Sequence, residues 1–195
     1  MPDRLYFSCW VKDTRTQPVL YQFEKMMVRF PFSKLAKRGP VLRIYAVSHA
    51  EPPLLEREFE HFEDNQTLIA AVLTAAREFM QEDTSCELEA AWDLWQFNGE
   101  WKLLPARVTL SCFGKSFENE HDDQLRIEFG NDALFLPAPN VEGGLRMGQS
   151  NLKSLLHLTS ELEQGLAVEK RSLWSENGAN FAAVLKQALG SYTPN

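Results

Sequence analysis

The stretch that decides the fold is Glu87-Leu-Glu-Ala-Ala-Trp-Asp-Leu-Trp-Gln-Phe97, followed by Asn98-Gly99 and then by Glu100-Trp-Lys-Leu-Leu104. Asn-Gly is a preferred dipeptide of two-residue β-hairpin turns, because both central positions of such a turn need a positive φ. We therefore expect two antiparallel strands here. The two-residue turn places Leu94 opposite Leu103 and Gln96 opposite Trp101.

Alternation along the first of these strands separates two faces, because successive side chains of a strand point to opposite sides of the sheet. One face reads as a core and carries Leu88, Ala90, Trp92 and Leu94. Trp95 and Phe97 point to the other face. Apolar groups there need a cover, so this second face is either packed under helices or left bare to bind something.

Working outward from the hairpin, runs of β-branched and aromatic residues bounded by Gly, Pro or polar clusters predict the remaining strands. The predicted strands are 5–11, 19–28, 41–47, 55–62, 108–113, 125–129 and 134–136. Residues 55–62 alternate irregularly and are either an edge strand, which we favour, or the start of a helix.

Three segments have the apolar spacing of amphipathic helices. They are residues 65–81, a helix capped by Ser150 or Asn151 that stops at Gly165, and residues 178–189. Strands, a helix, further strands and two final helices predict an α+β fold. We expect a single domain over residues 1–195, with a mainly antiparallel sheet and one central and two C-terminal helices packed on it. The central helix is expected on one face and the C-terminal pair on the other.

Composition and cysteine content bear on compartment. The chain has 195 residues, and its three cysteines, Cys9, Cys86 and Cys112, are odd in number and far apart. This pattern favours core thiols in a reducing cytoplasm over a secreted disulfide scaffold. No apolar run of the length of a membrane span is present, so no membrane association is expected.

The net charge of −7 hides a segregation along the chain. Residues 1–50 carry nine basic and three acidic side chains, whereas residues 51–100 carry two basic and thirteen acidic ones. An acidic protein lacks the positive field that phosphate binding needs, so nucleic acid is an unlikely partner. The simplest interpretation is that the basic quarter packs beside the acidic one.

A basic segment is the first candidate site. Residues 25–43 contain six Lys and Arg side chains and no acid, with Phe30 and Phe32 between them. Within this segment, Arg29, Lys34, Lys37 and Arg38 are the candidate binding residues. They suit an acidic protein surface or, with the two phenylalanines, the phosphates and base of a nucleotide, and a solvated loop is the alternative.

The aromatic side chains of the hairpin are the second candidate. Trp95 and Phe97 are expected either under the protein's own helices or at an interface, because aromatic residues dominate both cores and binding hot spots. The expected register places Lys102 opposite Trp95, where it can lie over the indole ring.

Patterns that indicate catalysis or metal binding are weak. The four histidines do not share the i, i+4 spacing of helical metal ligands, and the segment Glu118–Asp123 does not have the spacing of a calcium loop. The carboxylates Glu56, Glu58 and Glu60 read as a solvated face. We therefore assign no catalytic residue, metal ligand or cofactor.

These observations favour a cytoplasmic protein that acts by binding. The contact surface would be the basic segment, the hairpin aromatics or both, and the other party a protein partner or a second copy. The alternative is an enzyme or small-ligand binder with a pocket between sheet and helices, with chemistry on residues such as His49, Cys112 or His121. The sequence alone leaves both hypotheses open.

Overall fold

The structure, a computed structural model, describes residues 3–12, 18–60 and 64–190. Within these ranges the chain forms seven strands: β1 (Arg4–Val11), β2 (Val41–Ala46), β3 (Leu55–Glu58), β4 (Thr84–Phe97), β5 (Trp101–Phe113), β6 (Leu125–Asn131) and β7 (Val168–Ser175). It also forms four α-helices: α1 (Val19–Arg29), α2 (Asn65–Arg77), α3 (Gly144–Gly165) and α4 (Phe181–Gly190). A short 3₁₀ helix covers Asp132–Phe135.

The strands pair antiparallel in one sheet of order β3-β2-β4-β5-β6-β1-β7. This architecture confirms the predicted α+β fold with an antiparallel sheet. The predicted central helix corresponds to α2, and the two C-terminal helices correspond to α3 and α4. None of the helices in the described ranges is long and apolar enough to cross a membrane.

The segment 19–28, predicted as a strand, is helix α1, so that prediction was wrong. Its buried residues include Phe23, Met26 and Met27, and Phe30 follows directly after the helix. Their spacing of i, i+3, i+4 and i+7 is the helical period, and it outweighs the β propensity of the flanking Val and Tyr residues.

Three boundaries in the C-terminal third also differ from the prediction. Helix α3 begins at Gly144, earlier than the predicted start near Ser150. The glycines in its first two turns have low helix propensity, so the sequence pattern there does not indicate a helix. Residues 134–136, predicted as a strand, lie in and just after the 3₁₀ helix, which Asn131 caps by accepting a hydrogen bond from the Ala133 amide. Strand β7 was not predicted, because the charged run at 169–171 breaks its alternation.

The expectation that helices cover both sheet faces was wrong. The buried side chains of α1, α2 and α3 belong to the same cluster as Leu88, Leu110 and Ile127 of the central strands. Phe181 of α4 joins this cluster as well. The helices therefore share one face of the sheet. We call the opposite face, which carries Arg43, Glu87, Glu89, Arg107, Ser111, Arg126, Glu128 and Tyr6, the open face.

The hairpin of β4 and β5 forms as predicted, but its register is shifted by one residue. Leu94 lies opposite Leu104, and Phe97 lies opposite Trp101, so residues 98–100 make a three-residue loop. Only Gly99 of this loop has a positive φ, of 77°, whereas a type I′ turn needs two such residues. The shift turns Leu103 to the open face, opposite Trp95.

The far end of β4 extends beyond its neighbour β2. Pairing with β2 stops at Glu89, so the outer edge of residues 91–97 has no strand beside it. The buried amide of Asn151 in α3 takes the place of a strand. Its Oδ1 accepts from the Trp95 N–H at 2.9 Å, and its Nδ2 donates to the Trp95 and Leu134 carbonyls at 2.9 and 2.8 Å.

We expect Asn151→Ala to lower the free energy of unfolding by about 2–4 kcal/mol, because three partly buried backbone groups lose their partner at once. Urea denaturation monitored by tryptophan fluorescence measures the change. Ser154→Ala, an exposed position on the same helix, is the matched control and should change stability by less than about 0.5 kcal/mol. Equal effects of the two substitutions would mean that Asn151 does not secure the β4 edge.

Candidate functional site

A groove with a cavity volume of about 850 Å³ crosses the open face where the pairing of β4 with β2 ends. Its floor is formed by β4 at Glu89, Ala90 and Ala91, and one wall by β5 from Leu103 to Arg107. The other wall is the chain segment that leads from α1 to β2. We call residues 33–40 of this segment the anchored loop.

The anchored loop is fixed at its first residue. The Ser33 amide donates to the Ala91 carbonyl at 2.8 Å, and the Ser33 hydroxyl donates to the Asp93 carboxylate. The Lys34 amide donates to the same carboxylate at 2.9 Å. The hydroxyl also accepts from the amides of Leu35 and Ala36, so one buried serine closes a turn and joins it to the β4 edge.

The loop is fixed again at its last residues. Gly39 lies so close to the end of β3 that a Cβ at this position would be 1.8 Å from the Phe59 carbonyl oxygen. Next to it, the Pro40 carbonyl accepts a hydrogen bond from the Phe59 amide at 2.9 Å. Only glycine permits this approach. The five residues between the two attachments are therefore held over the sheet by contacts outside themselves.

The structure brings together part of the predicted basic site. Lys37 and Arg38 line the groove, and both side chains are exposed. Within the described residues neither has an ion-pair partner. Lys34 is exposed on the same loop but does not line the groove.

Arg29 occupies a different position from the other three candidates. It is half-buried on the last turn of α1, where its Nη1 donates to the Lys25 carbonyl at 3.0 Å. Its guanidinium also lies against Gly165 at the end of α3, since a Cβ there would be 1.8 Å from the Arg29 Nε. Through these contacts Arg29 holds the end of α1 against the end of α3.

The neighbouring charges on the open face largely neutralise one another. Arg43 bonds Glu56 at 2.7 Å and Glu89 at 2.9 Å, and Arg107 bonds the same Glu89 carboxylate at 2.7 Å. The hydrogen bonds that Arg43 donates to Glu89 and Glu56 raise the pKa of Arg43, against the effect of its burial. Basic and acidic quarters of the chain do meet in this network, as expected.

Exposed apolar side chains stand beside these charges. Leu35 of the anchored loop is 48% exposed, and Leu103 of β5 is 41% exposed. Both line the groove, whose floor at Ala91 carries only a methyl group. Leu103 lies in the groove because the hairpin has a three-residue loop and not the predicted two-residue turn.

The hairpin aromatics lie next to the groove but do not line it. Trp95 is half-buried opposite Leu103, and α3 contacts its backbone through Asn151. Phe97 is 48% exposed and packs on Trp101 with ring centroids 5.4 Å apart. Trp101 donates its Nε1–H to the Glu142 carbonyl at 2.7 Å. The C-terminal helices therefore leave Phe97 uncovered.

Elsewhere on the open face, the polar side chains bond to each other. His49 Nε2 lies 2.7 Å from Glu87 Oε1, and Arg126 makes two bonds to the buried carboxylate of Asp123, at 2.6 and 2.8 Å. His121 packs on Trp174. Among the described residues, no three His, Cys, Asp or Glu side chains are placed to hold a metal ion.

Two of the residues suggested for chemistry lie on opposite sides of the sheet. Cys112 is fully buried on the helix-covered face, in register with Cys86, whereas His49 packs on Phe113 of the open face. The sheet separates Cys112 from His49, so they do not form a nucleophile–base pair. His61 lies outside the described residues.

The chain matches no protein-family model, and no curated protein or solved structure is significantly similar to it.

The sequence patterns pointed to Lys37 and Arg38 of the groove lining but not to its apolar residues, Leu35, Ala91 and Leu103, nor to Arg107. Alternation along β5 was an available signal. Ala106, Val108, Leu110 and Cys112 form its buried face, so Leu103 and Arg107 must point the other way.

We expect none of the three cysteines to react with Ellman's reagent in the folded protein at pH 8, and all three to react in urea. Burial raises the pKa of Cys9 to about 12. The hydrogen bond that the Cys86 thiol makes with Cys112, together with burial, raises the pKa of Cys86 well above its usual range. All three thiols are buried, so the reagent cannot reach them, and the raised pKa values of Cys9 and Cys86 also disfavour their thiolates. A thiol that reacts rapidly in the native state would contradict this expectation.

Stability should also respond to pH through Glu128 on the open face. Burial raises the pKa of Glu128, although Arg4 and Arg107 oppose the shift. A carboxyl with a raised pKa destabilises the fold when ionised, and the cost disappears as pH falls below its unfolded pKa of about 4.3. Glu128→Gln should therefore raise Tm by about 1–3 °C at pH 7, with the gain vanishing near pH 4.

Differential scanning fluorimetry from pH 4 to pH 7 measures this difference. Glu118→Gln removes an exposed carboxylate on the same side and serves as the control, with the same Tm as the wild type throughout. A lower Tm of Glu128→Gln at pH 7 would show that the 3.3 Å ion pair with Arg4 outweighs the cost of burial.

Proposed function

We propose that this protein acts by binding a protein partner, and that the groove between the anchored loop and β5 is the contact surface. The observation that carries the proposal is the double attachment of the loop. Ser33 and Gly39 hold it at both ends, while Lys37 and Arg38 between them have no ion-pair partner within the described residues. Chain that is already ordered loses little entropy on binding.

The chemistry of the groove supports a protein as the ligand. Leu35, Leu103 and Ala91 offer apolar area, and Lys37 and Arg38 place unpaired positive charge on one side of it. An apolar centre with a polar rim is the usual anatomy of a protein interface. Trp95 and Phe97 beside the groove would extend the surface, as aromatic side chains do at binding hot spots.

The groove also favours binding over chemistry. It is lined by loop and strand residues and lies on the opposite side of the sheet from the helices, whereas the enzyme hypothesis needed a pocket between sheet and helices. Its one buried hydroxyl, on Ser33, is engaged by Asp93 and two amides. We propose the cytoplasm as the compartment, supported by three free cysteines in the core.

Site-specific photo-crosslinking in the host cell tests the proposal. A benzoylphenylalanine at position 103, in the groove, should give a discrete adduct on irradiation. The same group at position 156, where Leu156 is also half exposed but lies on α3, is the matched control and should give none. Ala91→Arg should abolish the adduct at 103, because its side chain fills the groove floor.

The cross-linking results either support or overturn binding at the groove. A discrete adduct at 103 that Ala91→Arg removes supports binding at the groove, provided that circular dichroism shows the variant to be folded. An adduct of twice the mass of the 22.3 kDa chain identifies self-association. No adduct at 103, or the same adduct at 156, overturns the proposal.

A further inference from the structure

We infer that the partner presents to this groove an extended segment in which acidic and apolar side chains alternate. The inference rests on the proposed function and adds the chemistry of the ligand. It is drawn from the charge balance of the groove, from the position of its apolar side chains, and from the strand that forms its floor.

The charge balance is positive at the groove although the whole chain is acidic. Arg43 and Arg107 are matched by Glu56 and Glu89 through the three ion pairs of the open face. Glu58 adds one negative charge to the lining, whereas Lys37 and Arg38 add two positive ones. Lys34 lies outside the lining, and the Asp93 carboxylate, which accepts from the Lys34 amide, offsets its charge, so the surplus at the groove is one positive charge. The whole chain has a net charge of −7, so its overall field repels an acidic ligand. Attraction is confined to local basic patches, of which this groove is one.

The shape of the groove favours an extended ligand. Its floor runs along β4, and its two walls, the anchored loop and β5, stand on either side of that strand. In an extended peptide, successive side chains point to opposite sides. Apolar side chains at alternate positions can then meet Ala91 and Leu103, while the acidic ones between them reach Lys37 and Arg38.

The same lining argues against nucleic acid. A phosphate backbone would pass Glu58 and Glu89, and the lining offers one aromatic ring, Phe32, rather than a row on which bases could stack. A peptide avoids both problems, because it can keep its carboxylates at the basic side of the groove.

Three synthetic peptides of eight residues serve as probes in fluorescence anisotropy and in amide NMR titrations of the full chain. The first alternates Glu and Leu, the second Lys and Leu, and the third Glu and Ser. We expect only the first to bind, with shifts concentrated at Ala91, Leu103 and the anchored loop, and with an affinity that falls as salt is added.

Charge reversal gives the sharper test. The double variant Lys37→Glu, Arg38→Glu should lose about tenfold or more of its affinity for the Glu–Leu peptide and should gain affinity for the Lys–Leu peptide. The double variant Lys153→Glu, Lys186→Glu makes the same change of charge on α3 and α4, away from the groove, and should bind within about twofold of the wild type. Glu58→Gln should strengthen binding of the Glu–Leu peptide.

The results separate this inference from the proposal on which it rests. If the Lys–Leu peptide binds the wild-type groove as tightly as the Glu–Leu peptide, the acidic ligand is overturned, whereas binding at the groove stands. If the Glu–Ser peptide binds as well, the apolar contacts are overturned. If no peptide binds, the inference fails, and the cross-linking experiment alone decides the proposed function. A cross-linked adduct of twice the chain mass would replace the foreign partner with a second copy.

Discussion

The outer edge of β4 is the constraint on which the rest of this molecule depends. β4 has 14 residues and β2 has six, so β2 leaves more than half of β4 without a neighbouring strand on that side. Backbone N–H and C=O groups that lose water must find another partner. Ser33 takes one position along this edge and Asn151 takes another. The first brings the chain after α1 over the sheet, and the second fixes α3 against the strand, so the unequal lengths of two strands position both a helix and a loop.

The groove results from these contacts at the β4 edge, and no single strand, helix or loop forms it alone. A loop held at the β4 edge and again at Phe59 cannot collapse onto the sheet, and the small side chain of Ala91 leaves space under it. The three-residue turn at residues 98–100 then turns Leu103 toward that space. The resulting surface has an apolar floor and a basic side, and the helices on the other face contribute nothing to it. The groove and the helix-covered core thus lie on opposite faces of the same sheet.

The sequence was sufficient for the fold class and for the two basic residues of the groove, and it fell short for reasons that particular residues make clear. Asn98-Gly99 identified the hairpin but suggested the wrong turn. The buried faces of both strands fall on even-numbered residues, such as Leu94 and Val108, and this parity requires a loop with an odd number of residues. Residues 19–28 carry two conflicting signals. The β propensity of their Val and Tyr residues led to the strand prediction, whereas the spacing of Phe23, Met26, Met27 and Phe30 is that of the helix which forms. By contrast, no local pattern indicates that Asn151 will serve a strand 56 residues away.

The double attachment of the anchored loop has a consequence for how this protein can evolve. The contacts that fix the loop use Ser33, Asp93, the backbone of Phe59 and the space left by Gly39, and the side chains of Lys34, Lys37 and Arg38 take no part in them. Residues 34–38 therefore form a cassette whose side chains can be exchanged at little cost to folding. Selection acting on a few codons could change the charge and shape of the groove while the scaffold stays unchanged.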